Sequence, residues 1–341
     1  MKISKVIHCF LAAGAFSAAR PVLAQTPPVL SCHLYAGVNI TGTTGSLYAV
    51  QATSNLADSN SWKCVALLQL PATNYLWVDT SGAAASGQRF YRAVLNATNF
   101  AFIQPGTFTM GSPTNEASRN PEEVQHIVTI SRGFFVDKFL VTQGEYLATV
   151  GTNPSSHTGN PNYPVETITW MDATNYCALR TAQERAAGLI PTNWGYRLPT
   201  ESEWEYACRA GTTTALFLGT ALRSHQANFA GTNEYDSAVG TIYNPNGENL
   251  QHTTEVNIYP PNGWGLYDMI GNVNEWCQDW FDAYPTGSVT DPLGAATGSG
   301  RVNRGGSCIL GGASCRSAKR FALPPTAAGS FRGFRVVLAQ Q

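Results

Sequence analysis

The chain has 341 residues, 43% hydrophobic and 11% aromatic, enough apolar material to bury a sizeable core, which excludes intrinsic disorder. Its 21 basic and 22 acidic residues leave a net charge of −1, so nothing is built to neutralise a nucleic-acid backbone. Charged residues are only 13%, about half the usual share of roughly 25%, while 32 glycines and 19 prolines indicate a loop-rich fold and exclude a helical bundle or coiled coil.

The first residues read as an export signal over residues 1–24. Lys2 and Lys5 precede an apolar run from Val6 to Ala19, and Val22-Leu23-Ala24 offers a small-residue cleavage site before Gln25. The run is shorter than the roughly 20 apolar residues of a membrane span, and no later stretch qualifies. The expected product is secreted or periplasmic, with no membrane span and, after loss of Lys2, Lys5 and Arg20, a net charge of −4. Apart from Cys9, seven cysteines remain: Cys32, Cys64, Cys177, Cys208, Cys277, Cys308 and Cys315. Export makes disulfides plausible, and the odd count leaves at least one thiol over. There is no Cys-x-x-Cys, no His-Glu-x-x-His, no Gly-x-Ser-x-Gly and no phosphate loop, which removes several common enzyme classes.

Residues 30–96 form one predicted unit. Short β-like runs at Leu47–Val50, Cys64–Leu68, Tyr75–Val78 and Arg89–Val94 alternate with turn clusters, the pattern of a small antiparallel β module. A Cys32–Cys64 staple is one option for it, and residues 96–99 read as a linker. Beyond residue 100, Phe102 to Met110 reads as strand–turn–strand about Pro105-Gly106, and Val124 to Val141 supplies further strands. Pro121-Glu122-Glu123 reads as a solvated loop.

Two helices are signalled. One runs from Met171 to Ala187 and stops at Gly188. The other starts after Thr200, whose spacing to Glu203 is that of a capping box, with Trp204 and Cys208 on one face and Glu205 and Arg209 paired along the surface. About a hundred residues after Ala210 show little regularity, which in a compact domain asks for pinning by ions or disulfides. Asp268 and Glu275 flank a tight Gly271-Asn272-Val273 turn, a spacing that lets two carboxylates and intervening carbonyls face one hard cation such as calcium. The alternative is that both carboxylates cap turn amides. Trp264, Trp276, Trp280 and Phe281 suit either stacking on a ligand or the core. Arg316, Arg320, Arg332 and Arg335 suit either an anion or backbone carbonyls.

Residues 101–339 carry a resemblance. Phe102 to Gly111, Tyr196 to Tyr206, Asn262 to Asp268 with Glu275-Trp276, Arg304-Gly305-Gly306-Ser307 and Gly333-Phe334-Arg335 together resemble the formylglycine-generating enzyme (sulfatase-modifying factor) family. The resemblance implies an α+β, C-type-lectin-like fold with little regular structure. It implies structural calcium held by Asp268, Glu275 and the carbonyls of Gly271 and Val273. A second calcium site would use Asn228, the Phe229 carbonyl, Glu248 and the Leu250 carbonyl. The family's enzymes bind Cu(I) through two thiols three and eight residues after the Gly-Gly-Ser serine and convert a sulfatase cysteine to formylglycine, as soft thiolates select Cu(I).

Counted from Ser307, those positions are Leu310 and Cys315, so one thiol is missing. Cys308 stands directly after the serine, and Asn274 replaces a tryptophan that lines the family's active site. Relatives with Tyr-Ala-Cys-Arg-Ala-Gly and Cys-Arg-Ser-Ala, here Tyr206 to Gly211 and Cys315 to Ala318, imply a Cys208–Cys315 disulfide, leaving Cys308 to pair with Cys277 or Cys177 or to stay free. The expectation is a divergent or noncatalytic, calcium-stabilised binding domain. Its alternatives are a copper-dependent oxidase of a sulfatase cysteine using Cys308, Cys315 and Ser307, or a divergent oxidase on another substrate. The partner is a protein or peptide such as a sulfatase, or a glycan.

Overall fold

The computed structural model describes residues 35–80, 89–95 and 99–341. The expected export signal, Cys32 and most of the linker lie outside the described residues. The chain divides into two compact units, one before residue 97 and one after it.

The first unit contains β1 (Ala36–Thr41), β2 (Leu47–Thr53), β3 (Lys63–Gln69), β4 (Asn74–Asp79) and β5 (Phe90–Leu95). All pairs are antiparallel: β1 with β4, and β2 between β3 and β5. Val38, Ile40, Val50 and Leu70 form the core, with Tyr48, Trp77 and Tyr91 packed against it.

The second unit opens with β6 (Phe100–Ile103), β7 (Gly106–Met110), β8 (His126–Ile130), β9 (Phe134–Asp137) and α1 (Gln143–Val150). It continues with α2 (Trp170–Ala186), β10 (Trp194–Arg197), α3 (Glu201–Arg209), β11 (Ala221–Leu222), β12 (Asn233–Asp236) and β13 (Gly240–Tyr243). Last come β14 (Asn274–Trp280), β15 (Val289–Thr290), β16 (Arg301–Arg304), β17 (Phe321–Leu323), β18 (Arg332–Gly333) and β19 (Val337–Gln340). The strands make four small sheets, in the orders β10-β19-β9-β6, β11-β12-β13, β17-β16-β14-β18 and β15-β8-β7. This is an α+β fold with three α-helices among the described residues and long irregular connections. The strand–turn–strand at Pro105-Gly106 is present, but β6 and β7 belong to different sheets.

The helix ends follow their caps. Thr169 closes a capping box with Asp172, and α2 ends just before Gly188 in the left-handed region at φ 66°. Thr200 closes the predicted box with Glu203 at the start of α3. Helix α1 was not anticipated; Thr142 and Glu145 cap it by the same reciprocal bonds.

Two local readings are corrected by burial. Glu205 and Arg209 do pair, at 2.8 Å, but in the interior: Glu205 is fully buried and Arg209 nearly so, because α3 packs against β7, β14 and β16. Glu205 also accepts the Gly111 N–H at 2.9 Å and is gripped by Arg304. The Pro121-Glu122-Glu123 segment is not simply solvated, since Glu123 is fully buried and takes Nη1 and Nη2 of Arg316 at 2.7 and 2.8 Å. Arg316 Nη1 reaches Glu116 as well, at 2.7 Å.

Candidate functional site

Three chain segments are sewn together by backbone hydrogen bonds. The Asp268–Glu275 turn is tied to the Asn228 segment by Asn272 N–H to Asn228 O at 2.7 Å. It is tied to the loop after β16 by Gly271 N–H to Gly305 O at 2.8 Å and Cys308 N–H to Asn272 O at 3.0 Å. Ala230 N–H to Leu310 O at 2.9 Å closes the triangle. Glycine makes the approach possible: a Cβ on Gly271, at φ 78°, would lie 2.3 Å from Asn228 O, and one on Gly306, at φ 72°, would lie 2.6 Å from Cys315 Sγ.

The family model for the sulfatase-modifying factor enzyme 1-like domain matches residues 87–340, more than half of the chain. The chain belongs to the sulfatase-modifying factor family. The formylglycine-generating enzyme of Mus musculus is 28% identical over 322 residues, spanning 74% of this chain and 82% of that enzyme. That of Thermomonospora curvata is 35% identical over 193 residues, and here the match spans 53% of this chain and 57% of the relative. Among solved structures, PvdO from Pseudomonas aeruginosa superimposes with a TM-score of 0.55 at 26% identity, covering 70% of this chain and 93% of that one. The variable protein 1 of Treponema denticola shares the fold at a TM-score of 0.57, with 74% and 96% of the two chains covered.

Within this sulfatase-modifying factor domain, Asp268 is buried in the left-handed region at φ 53° and accepts the Asn257 N–H at 2.9 Å. Burial pushes its carboxyl up to about 6, since its hydrogen bonds and the field of Arg335 only partly offset the loss of water. Glu275 is fully buried and held side-on by Arg335, with Nε at 2.6 Å and Nη2 at 3.0 Å. Arg335 therefore already answers one of the two carboxylates, and the charge left for a cation is that of Asp268.

Asn228 donates from Nδ2 to His252 O at 2.9 Å, while its buried Oδ1 has no partner among the described residues. Phe229 is core, Glu248 is exposed with its carbonyl bonded to Gly231 N–H at 2.9 Å, and Leu250 is half-buried. The oxygen-only donor set fits a hard cation, and the orphaned Asn228 oxygen is the observation that favours one. Among the described residues no cluster of three or more His, Cys, Asp or Glu side chains is suited to a metal.

The candidate catalytic residues are all buried. Ser307 is fully buried, and its hydroxyl has no partner among the described residues. Cys315 is fully buried beside Cys208, and Cys308 is buried within the field of Glu166. Burial pushes all three thiols up to about 12, so each is protonated at neutral pH and none is a ready thiolate. The expected Cys208–Cys315 bond is not formed in the structure: both are free thiols, with Cys208 Sγ 3.6 Å from Ser317 Oγ. Cys177 and Cys277 are free and buried as well.

Of the arginines singled out, Arg316 and Arg335 hold carboxylates as described, and Arg320 takes Glu201 through Nε and Nη2 at 2.6 and 2.7 Å. Arg332 bonds the Ala328 carbonyl at 2.7 Å. Trp276 is fully buried core, with its Nε1 donating to Ile168 O at 3.2 Å. Asn274 and Asn303 went unnoticed as a pair: both are buried on one face of the β14–β16 ladder, and among the described residues neither Asn274 Oδ1 nor either amide atom of Asn303 has a partner. The polar alternation Arg301, Asn303 within β16 was the sequence signal for that face.

Proposed function

We propose that this chain is an exported, divergent member of its family whose lectin-like domain binds a ligand without oxidising a cysteine, and that calcium stiffens the Asp268–Glu275 turn. One observation carries the reading: Leu310 stands at the position of the first family thiol, and Cys308 and Cys315 are both buried. A Cu(I) dithiolate needs two accessible soft ligands, and these residues do not fit it. Cys315 instead faces Cys208, which supports a structural disulfide between them in an oxidising compartment.

The mature protein loaded with Cu(I) is expected to leave a sulfatase peptide containing Cys-x-Pro-x-Arg unchanged by mass spectrometry, and the aldehyde product would overturn the reading. The same protein digested without reductant is expected to give its Cys208 and Cys315 peptides joined. Calcium is expected to raise the thermal midpoint in a concentration-dependent way, by about 2.7 kcal/mol of stability at a hundredfold excess over Kd. Asp268→Asn is expected to abolish that increment; an increment that survives it would place the ion elsewhere.

A further inference from the structure

A cleft of about 610 Å³ in the second unit is lined by Trp170, Cys177, Arg185, Arg197, Gln278 and Arg301 among others, and by no aspartate or glutamate. Its arginines are not equivalent. Arg197 is neutralised by Glu203, at 2.6 and 2.7 Å. Arg185 donates to Trp194 O and to Gln341 Oε1, at 2.8 and 2.7 Å, and forms no ion pair among the described residues. Arg301 is the unusual one. Its guanidinium lies between the rings of Trp170 and Trp280, 3.8 and 3.6 Å from their centroids. Nη1 donates to Gln278 O at 2.6 Å; among the described residues the buried Nε has no partner and the guanidinium forms no ion pair, Asp279 reaching it only through its field.

The same unit shows what such an edge is for. Arg320 and Arg335 each spend their Nε–Nη2 edge on a carboxylate held side-on, Glu201 and Glu275 respectively. This planar, bidentate geometry is what distinguishes guanidinium from a lysine ammonium. Arg301 lines a cleft with its plane fixed by two indoles and its Nε covered, which leaves the terminal nitrogens as the fork a ligand can reach, and no carboxylate among the described residues is paired with it.

We propose that this cleft binds a small carboxylic acid, its carboxylate held end-on by the terminal nitrogens of Arg301 with Arg185 as the second cation. The acid is either a free organic acid or a sugar acid, the recognised group being the same. The site is independent of Cys308 and Cys315 and of calcium.

Because Trp170 and Trp280 touch Arg301, intrinsic tryptophan fluorescence of the full mature chain reads occupancy directly. Titration with succinate and with glucuronate, in EDTA and in calcium, is expected to give a saturable change for at least one acid and none with glucose. The tighter acid identifies the source. Arg301→Lys keeps the charge and loses the fork, and is expected to raise Kd at least tenfold. Arg185→Gln, at a half-buried position, is expected to raise it severalfold. No saturable response to either acid, an equal response to glucose, or an unchanged Kd in Arg301→Lys overturns the proposal. Should Arg301→Lys fail to fold, an unchanged Kd in Arg185→Gln does so instead.

Discussion

Glu205→Ala is expected to cost about 3–5 kcal/mol of folding stability, the range for removing one partner of a buried ion pair. Glu205 is completely buried between Arg209 and Arg304 and also accepts the Gly111 N–H. Without it two guanidinium groups face each other in the core. Arg304 keeps bonds to the carbonyls of Ser317, Ala318 and Lys319, but the one carboxylate left near it is Glu201, 3.7 Å from Nη1 and already held by Arg320. Glu205→Gln retains an acceptor for Gly111 and is expected to fall between the two. Denaturant midpoints measure both. Arg223, the exposed partner of Glu234, is the internal control, since Arg223→Ala should cost no more than about 1 kcal/mol. A Glu205→Ala loss that small would mean that water reaches the cluster.

Arg316→Met is expected to be as costly at neutral pH and to recover in acid. Arg316 separates Glu116 from Glu123, both buried, and burial together with the field of Glu123 pushes the Glu116 carboxyl up even with Arg316 holding it down. With the cation gone, the folded-state pKa of Glu116 rises further above the unfolded value of about 4.3, so the folded form binds more protons than the unfolded one. Stability of the variant then falls as pH rises through that folded pKa, and is regained on acidification by about 1.4 kcal/mol per pH unit for each carboxyl affected. The expected loss relative to wild type is about 3–5 kcal/mol at pH 7 and clearly smaller at pH 5. Equal losses at the two pH values would show that the carboxylates relax into water.

These two clusters also mark the limit of what the sequence reveals. The caps at Thr169 and Thr200, the stop at Gly188, and the family blocks from Phe102 to Arg335 are local or contiguous signals, and the fold class follows from them. Helix α1 is local too, signalled by Thr142 and Glu145, but Gly144 in its first turn disguises it. That glycine is there because a Cβ would press on Pro161 at 3.2 Å.

Burial of Glu123 and Glu205 is of another kind. Arg316 lies 193 residues from Glu123, and Arg304 99 residues from Glu205, so only the folded chain shows that a charge run is a core element. The same holds for the site. The spacing of Asp268 and Glu275 was readable, whereas the prior claim of Arg335 on Glu275 is a contact made across 60 residues.

The double use of arginine as core material has a consequence for proteolysis. Arg304, Arg316, Arg320 and Arg335 are almost wholly buried, each engaged through its guanidinium. The peptide bonds that follow them are trypsin sites by sequence, yet no protease pocket can take a side chain clamped in the interior. In the folded protein the segment from Arg304 to Arg335 is therefore silent to trypsin at these positions. Cleavage there tracks the population that has opened globally, so a tryptic time course of the C-terminal segment serves as a label-free gauge of unfolding.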